Sequence, residues 1–208
     1  KYTDYKQMHL VLELTKCQLA VNDPCDGHIE AYVSLYDYQM KQYISEEYCI
    51  TLSPQSLGNT VDVPNQKITF IDLIPPDMGN LHVIVKIYRI GNITIVEKNK
   101  RKVGCVDIRR PHAICVLPLS VKMLNESLNT NTYVIIPQTI KCWNIPSNKA
   151  KSLDIIHLQD EVIKQQGSLE TLTQTFLENL KQNLTCKGIN YKFRLIPGKM
   201  NTFLNNIE

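Results

Sequence analysis

The chain has 208 residues, 43% of them hydrophobic and 21% charged, with a formal net charge of +3. That balance is globular, which excludes a chain disordered throughout. No stretch approaches the ~18 consecutive apolar residues of a membrane-spanning helix, and the opening KYTDYKQMHL has no apolar signal core.

Apolar and polar residues alternate along most of the chain, the period of a half-buried strand. Residues 8–21 set Leu10, Leu12 and Leu14 on one face and His9, Val11 and Glu13 on the other. Asn22-Asp23-Pro24 and Asp26-Gly27 are turn chemistry. Residues 29–37 form a second strand with Ile29, Ala31, Val33 and Leu35 on one side, and 41–52 a third, bent at Ser45-Glu46-Glu47. A loop with Pro54, Gly58 and Pro64 precedes a strand over 67–74, which Pro75-Pro76 stops.

LHVIVKIY (81–88) is the strongest strand, rich in β-branched residues. Gly91-Asn92 is expected to bend the chain before ITIVEK. AICVLPLSV (113–121) reads as a strand whose Pro118 suggests an edge or a bulge, and TYVIIP (132–137) as another. Residues 149–166 have a helical pattern. The segment after it is cleaner: Ser168 caps, Leu169, Leu172, Phe176, Leu180 and Leu184 recur at helical spacing, and Gly188 follows. INYKFRLIP (189–197) returns to strand.

Short strands without a βαβ rhythm predict a mainly β fold, an antiparallel sandwich with one or two helices inserted before the last strand. The whole chain, 1–208, is read as a single domain with 149–188 as a helical insertion.

The chemistry of common enzyme sites is missing. There is no G-x-S-x-G, G-x-x-x-x-G-K-[ST], G-x-G-x-x-G or H-E-x-x-H motif, so no catalytic residue, cofactor or metal site is assigned. Asp23, Asp26, Glu30 and Asp37 are read as turn residues rather than calcium ligands, because a second carboxylate-rich loop is lacking. His112 and Cys115 are three apart on a strand, which puts them on opposite faces, so Cys115 is read as a structural thiol. The seven cysteines have no C-x-x-C pair and lie mostly in apolar runs, Cys49 among them, as buried reduced thiols would. Sequons at Asn92, Asn125 and Asn183 point toward secretion but occur about as often as chance allows in so Asn-rich a chain.

Charge is concentrated. From Lys86 to Arg110 there are eight basic residues against Glu97 and Asp107, a local +6. Lys98, Lys100, Arg101 and Lys102 form a basic turn between strands, a candidate contact for an acidic protein or an anionic membrane surface, or simply a solvated hairpin tip. No aromatic residue interleaves with it, which argues against nucleic acid. Arg109-Arg110-Pro111 abuts an apolar strand, and a structural pairing of these arginines with Glu46 and Glu47 is expected.

Four ordered segments carry a family resemblance. They are Ser34-Leu35-Tyr36-Asp37 with Ile44 to Tyr48 (ISEEY), NQKITFIDL (65–73), VKIYRIG (85–91), and Arg109-Arg110-Pro111 leading to the strand near Ser120; FRLIPG (193–198) is a weaker fifth. In this order they resemble the amino-terminal region of the DOCK (dedicator of cytokinesis) family of guanine-nucleotide exchange factors. The segment 138–188 has no counterpart in that reading. The resemblance implies a C-two-type β-sandwich between a Src-homology-three and helical part and a lipid-binding domain. It implies a non-catalytic scaffold and regulatory role in the cytoplasm, with recruitment to the plasma membrane, since exchange belongs to a separate domain. The implied partners are an ELMO-type adaptor, neighbouring domains of the same protein and, through the separate domain, a Rac-type GTPase. The alternative is a stand-alone sandwich that binds anionic lipid.

Overall fold

A computed structural model of the chain describes residues 7–18, 28–52, 66–74, 81–95, 104–136, 143–144 and 188–198. Among the described residues, ten strands and one helix run in the order β1 (Met8–Gln18), β2 (His28–Asp37), β3 (Gln42–Tyr43), β4 (Tyr48–Leu52), β5 (Lys67–Leu73), β6 (Leu81–Ile95), β7 (Gly104–Pro118), α1 (Val121–Thr130), β8 (Val134–Ile135), β9 (Trp143–Asn144) and β10 (Gly188–Pro197). One sheet has the order β5-β1-β10-β8; the other has β3-β2-β6-β7-β9, with β4 also paired to β2. Every pairing is antiparallel. The mainly β, two-sheet architecture is the one the alternation predicts.

The alternating residues meet in one core. Leu10, Leu12 and Leu14 of β1 and Tyr191, Phe193 and Leu195 of β10 share it with Val33 and Leu35 of β2, Val83, Val85 and Ile87 of β6, and Cys115 and Leu117 of β7. β6 and β7 are covered on their second face too: Ile84, Ile114 and Val116 are wholly buried, as is the neighbouring Ser34 of β2. Burial on both faces explains why these two strands read as nearly unbroken apolar runs.

At the sandwich edge, Tyr48 of β4 links the sheets. Its hydroxyl donates to the Thr69 carbonyl of β5 at 3.0 Å, and its ring meets Phe70 edge-on at 5.3 Å. The break between β3 and β4 falls at the expected bend. There the Leu35 carbonyl accepts from Ile44 N, and Ser45 Oγ accepts from Leu35 N at 2.8 Å, so the side chain replaces a ladder partner.

Two boundaries differ from the sequence reading. β6 does not bend at Gly91-Asn92; its ladder with β7 continues to Ile95↔Gly104, because the cross-strand partner holds the glycine extended. The strand expected over 113–121 stops at Pro118, and residues 121–130 form a helix instead. Ser120 caps that helix, its Oγ accepting from Met123 N at 3.3 Å, and Asn131 ends it in the left-handed region at φ 54. The helical insertion expected over 149–188 lies outside the described residues, apart from Gly188, which opens β10.

The helix has a defined task at a sheet edge. β8 covers β10 only at Lys192 and Phe193, and the Ile136 amide donates to the Tyr191 carbonyl. Farther along that edge, the buried Ser127 hydroxyl accepts from Leu195 N at 2.9 Å and donates to the Thr132 carbonyl at 2.8 Å. Ser127→Ala leaves the Leu195 amide buried and unpaired. We expect it to lower unfolding free energy by about 1–3 kcal/mol in a urea titration, while Ser120→Ala, at the exposed cap, costs about 1 kcal/mol.

Candidate interaction surface

The face of the larger sheet turned away from the core carries the polar and aromatic members of the alternation. On β2 these are His28, Glu30, Tyr32 and Tyr36; on β6 they are His82, Lys86 and Tyr88. The register sets Glu30 opposite Tyr88, Tyr32 opposite Lys86, and Tyr36 opposite His82.

β7 joins this face through a bulge. Ile87 pairs with Ala113 but Tyr88 pairs with Pro111, so His112 is an extra residue. A bulge beside Pro111 sacrifices little, since proline has no amide hydrogen to place in the ladder. The extra residue shifts the alternation: Arg109 is placed on the outer face and Arg110 on the side that continues the core face.

Arg109 closes a cluster there. Its guanidinium carbon lies 4.2 Å from the centre of the Tyr32 ring and 3.9 Å from that of Tyr88. The two rings meet edge-on, 5.5 Å apart at 88°. Glu30 sits beneath the cluster. It accepts from the Tyr32 hydroxyl at 2.8 Å and contacts His28 Nε2 at 3.2 Å and Arg109 Nε at 3.9 Å. The Tyr32 hydrogen bond holds the Glu30 carboxyl below the usual carboxylate range, with His28 and Arg109 adding to the effect against the opposing influence of burial. The same hydrogen bond, together with one to Cys49, pushes the Tyr32 phenol well up.

A second cation lies farther along the sheet. Lys86 pairs with Glu47 and stands 4.4 Å from the centre of the Tyr43 ring, which meets Tyr36 edge-on at 5.2 Å. Tyr38 meets His82 at 6.1 Å.

The expected pairing of Arg109 and Arg110 with Glu46 and Glu47 is therefore corrected. Arg109 takes Glu30, and Glu47 takes Lys86. Arg110 is exposed, stands directly across the ladder from Arg89, and has no ion pair among the described residues. The reason is the bulge, which puts the two arginines on opposite faces. Pro111 lies in the ladder opposite Tyr88, and Glu46 is exposed in the β3–β4 break. Lys98, Lys100, Arg101 and Lys102 lie outside the described residues, in the segment that joins Ile95 to Gly104.

Other candidates separate in space. Cys115 is in the core and His112 is at the bulge. Asp37 Oδ1 accepts from Gln39 N at 2.7 Å and Met40 N at 2.9 Å, a turn role, while Glu30 is at the other end of β2. Among the described residues no group of three or more His, Cys, Asp or Glu is placed to hold a metal. Cys17 and Cys115 are buried thiols outside any disulfide, but Cys49 is exposed on β4, because β4 lies on the rim of the sheet and that position faces out. Sequence reasoning missed Glu30, Tyr32, Lys86 and Tyr88 as a cluster. The outward set His28-Glu30-Tyr32 was a signal, but its partners lie on strands distant in sequence.

The comparison with known families decides the grouping. The family model described as DOCK N-terminus matches residues 2–188. The chain belongs to the DOCK N-terminus family. The match extends across 138–188, the segment that the short motifs left without a counterpart, and ends before FRLIPG. Within this DOCK-family chain, Val85 to Ile90 is the stretch of β6 that pairs with both β2 and the bulged part of β7, and Tyr88 and Arg109 are the residues that those motifs contribute to the cluster.

The depressed carboxyl of Glu30 has a defined sign. Its contribution to stability is complete above the ordinary carboxylate range and is lost as pH falls through the lowered folded value. Denaturant midpoints followed from about pH 6 to about pH 3 should fall less steeply for Glu30→Gln than for the unaltered chain. Arg109→Ala should cost about 1 kcal/mol near neutral pH, an amount set by stacking at a half-exposed site.

Proposed function

We propose that this chain is a non-catalytic scaffold and regulatory module of a DOCK-type guanine-nucleotide exchange factor acting on Rho/Rac-type GTPases. Its part is to position neighbouring domains and to offer a surface to an ELMO-type adaptor. Exchange resides in a domain outside these 208 residues. The protein works in the cytoplasm and is recruited to the plasma membrane, and Lys98, Lys100, Arg101 and Lys102 are its candidate contact there.

The observation that carries this reading is the family match over residues 2–188. The site chemistry agrees with it. Arg109 is stacked on Tyr32 and Tyr88 and paired with Glu30, and Lys86 lies over Tyr43 and is paired with Glu47, an arrangement suited to a rigid surface. Tyrosine and arginine are also the residues that dominate the energetics of protein interfaces. A second reading, a stand-alone sandwich that binds anionic lipid, draws on Arg110, which is exposed and has no ion pair among the described residues.

Nucleotide release from a Rac-type GTPase tests the first reading. The 208-residue chain alone should leave the rate unchanged. The full exchange factor should respond to the adaptor, and deletion of residues 1–208 should abolish that response while leaving the basal rate of the exchange domain. Acceleration of release by the isolated chain overturns the proposal.

A further inference from the structure

The smaller sheet also has an outer face, and register fixes which residues share it. Leu10, Leu12, Tyr191 and Phe193 fill the core, so Val11, Glu13, Lys192 and Arg194 point the other way. Glu13 stands between Lys67 of β5 and Lys192 of β10, and Ile135 of β8 lies across from Lys192. In the next row Val11 stands between Thr69 and Arg194. Beyond it His9 pairs with Ile196, and on β5 two residues, Ile71 and Asp72, oppose His9 in a bulge. The Asp72 amide donates to His9 Nδ1 at 3.2 Å, with Asp72 in the left-handed region at φ 56. Ile71 follows the core-facing Phe70 and so joins the outer face.

Two features mark this face. It carries open apolar positions at both edges, Ile71 at 62% and Ile135 at 70% exposure, with Val11 and Ile196 half-buried between them. It also carries more positive than negative charge. Lys67, Lys192, Arg194 and Lys16, which rejoins the face opposite Asn190, stand against Glu13 and, at the bulge, Asp72. Glu13 is only 5% exposed and is already taken by Lys192 at 2.9 Å. Arg194 is held by a neutral group, its Nη2 donating to Asn131 Oδ1 at 2.6 Å. Lys16 and Lys67 are exposed and have no ion pair among the described residues. The outer face of the larger sheet differs, since there Glu30 matches Arg109 and Glu47 matches Lys86.

We propose that the outer face of the smaller sheet docks an acidic amphipathic α-helix of a separate protein. Ile71, Val11 and Ile196 meet the apolar stripe of that helix, and Lys16, Lys67 and Arg194 meet its flanking carboxylates. This names the partner-binding face of the module proposed above and rests on that reading. The occupant follows from complementarity. Four strands about 4.8 Å apart make a face about 14 Å across, wide enough for one helix of about 10 Å. A helix with apolar residues at i, i+3 and i+4 and acidic neighbours presents carboxylates on both sides of its stripe. Cations left unmatched within the chain are the ones that orient and steer such a partner. Lys192 and Arg194 are half-buried and fixed by Glu13 and Asn131, which suits carboxylates at set positions better than a fluid layer of headgroups.

Fluorescence anisotropy of a labelled helical peptide mixed with the 208-residue chain tests the face. The peptide repeats Glu-Leu-Glu-Glu-Leu-Leu-Glu over about 20 residues, a helix about 30 Å long. It should bind, and added salt should weaken it. Ile71→Ser should weaken binding roughly ten-fold without altering the salt dependence. Lys67→Gln should weaken it roughly three-fold and make the salt dependence shallower. Arg110→Gln, on the larger sheet, should leave it unchanged. Equally tight binding of polyglutamate overturns the proposal, because charge alone would then account for capture. Indifference to both Ile71→Ser and Lys67→Gln, in variants with unaltered thermal melts, also overturns it. So does capture by phosphatidylserine vesicles without peptide binding, which gives the face to a membrane. The adaptor-dependent exchange assay is a separate readout. Absence of peptide binding with adaptor coupling intact rejects the docking face and leaves the module, whereas peptide binding without adaptor coupling rejects the module and leaves the face.

Discussion

β6 lies between β2 and β7 and hydrogen-bonds to both, and its register with each decides which side chains share a face. Ten consecutive positions pair with β2 without a slip, so the alternation of the two strands is locked together. On the β7 side a single extra residue, His112, changes the phase. Before it in the chain, Arg109 goes outward and Arg110 stays with the core-face parity; after it, Ala113, Cys115 and Leu117 fill the core. The stacked cluster on the outer face depends on that one residue, because a shift of one in a period of two exchanges the faces.

The cluster at the root of the β6–β7 ribbon is a device for stiffness. Tyr32 comes from β2, Tyr88 from β6 and Arg109 from β7, so stacking the guanidinium over both rings ties three strands at the point where the sheet narrows to two. Glu30 adds a fourth contact from β2. The side chains are partly exposed, and each pair contributes modestly. Their value is geometric: they set the direction in which the ribbon leaves the sandwich. The opposite sheet uses a different economy. Its β8 is only two residues long, and the β10 edge is completed by a serine on a helix. That serine keeps a buried backbone amide paired where the regular strand runs out.

The alternation in β1, β2 and β10 was enough to assign their faces, because each has one buried and one more open side and the pattern has no rival explanation. The unbroken runs in β6 and β7 announced strands but hid their faces, since both sides are covered. Helix α1 was concealed behind an apolar run that the pattern carries on through Pro118, Leu119 and Ser120. Its cap, Ser120, and the spacing of Met123, Leu124, Ser127 and Leu128 were present, but a strand reading absorbed them. The arginine pairing failed for a more basic reason. Opposite charges on distant segments can be matched in several ways, and only strand order and register choose among them.

By itself the amino-acid sequence determined the fold class, most strand positions, the core-facing residues of β1, β2 and β10 and, through short ordered motifs, the DOCK family. All of these follow from local periodicity or from residues adjacent in the chain. Tertiary structure alone decided that Arg109 meets Glu30, Tyr32 and Tyr88, that Lys86 meets Glu47, and that Ser127 completes the β10 edge. It also decided that β6 and β7 run on past β2 as a two-stranded ladder. Those outcomes rest on a one-residue bulge and on where one strand stops relative to another. Neither quantity is encoded in the period of a single segment, because each is a relation between segments brought together by packing.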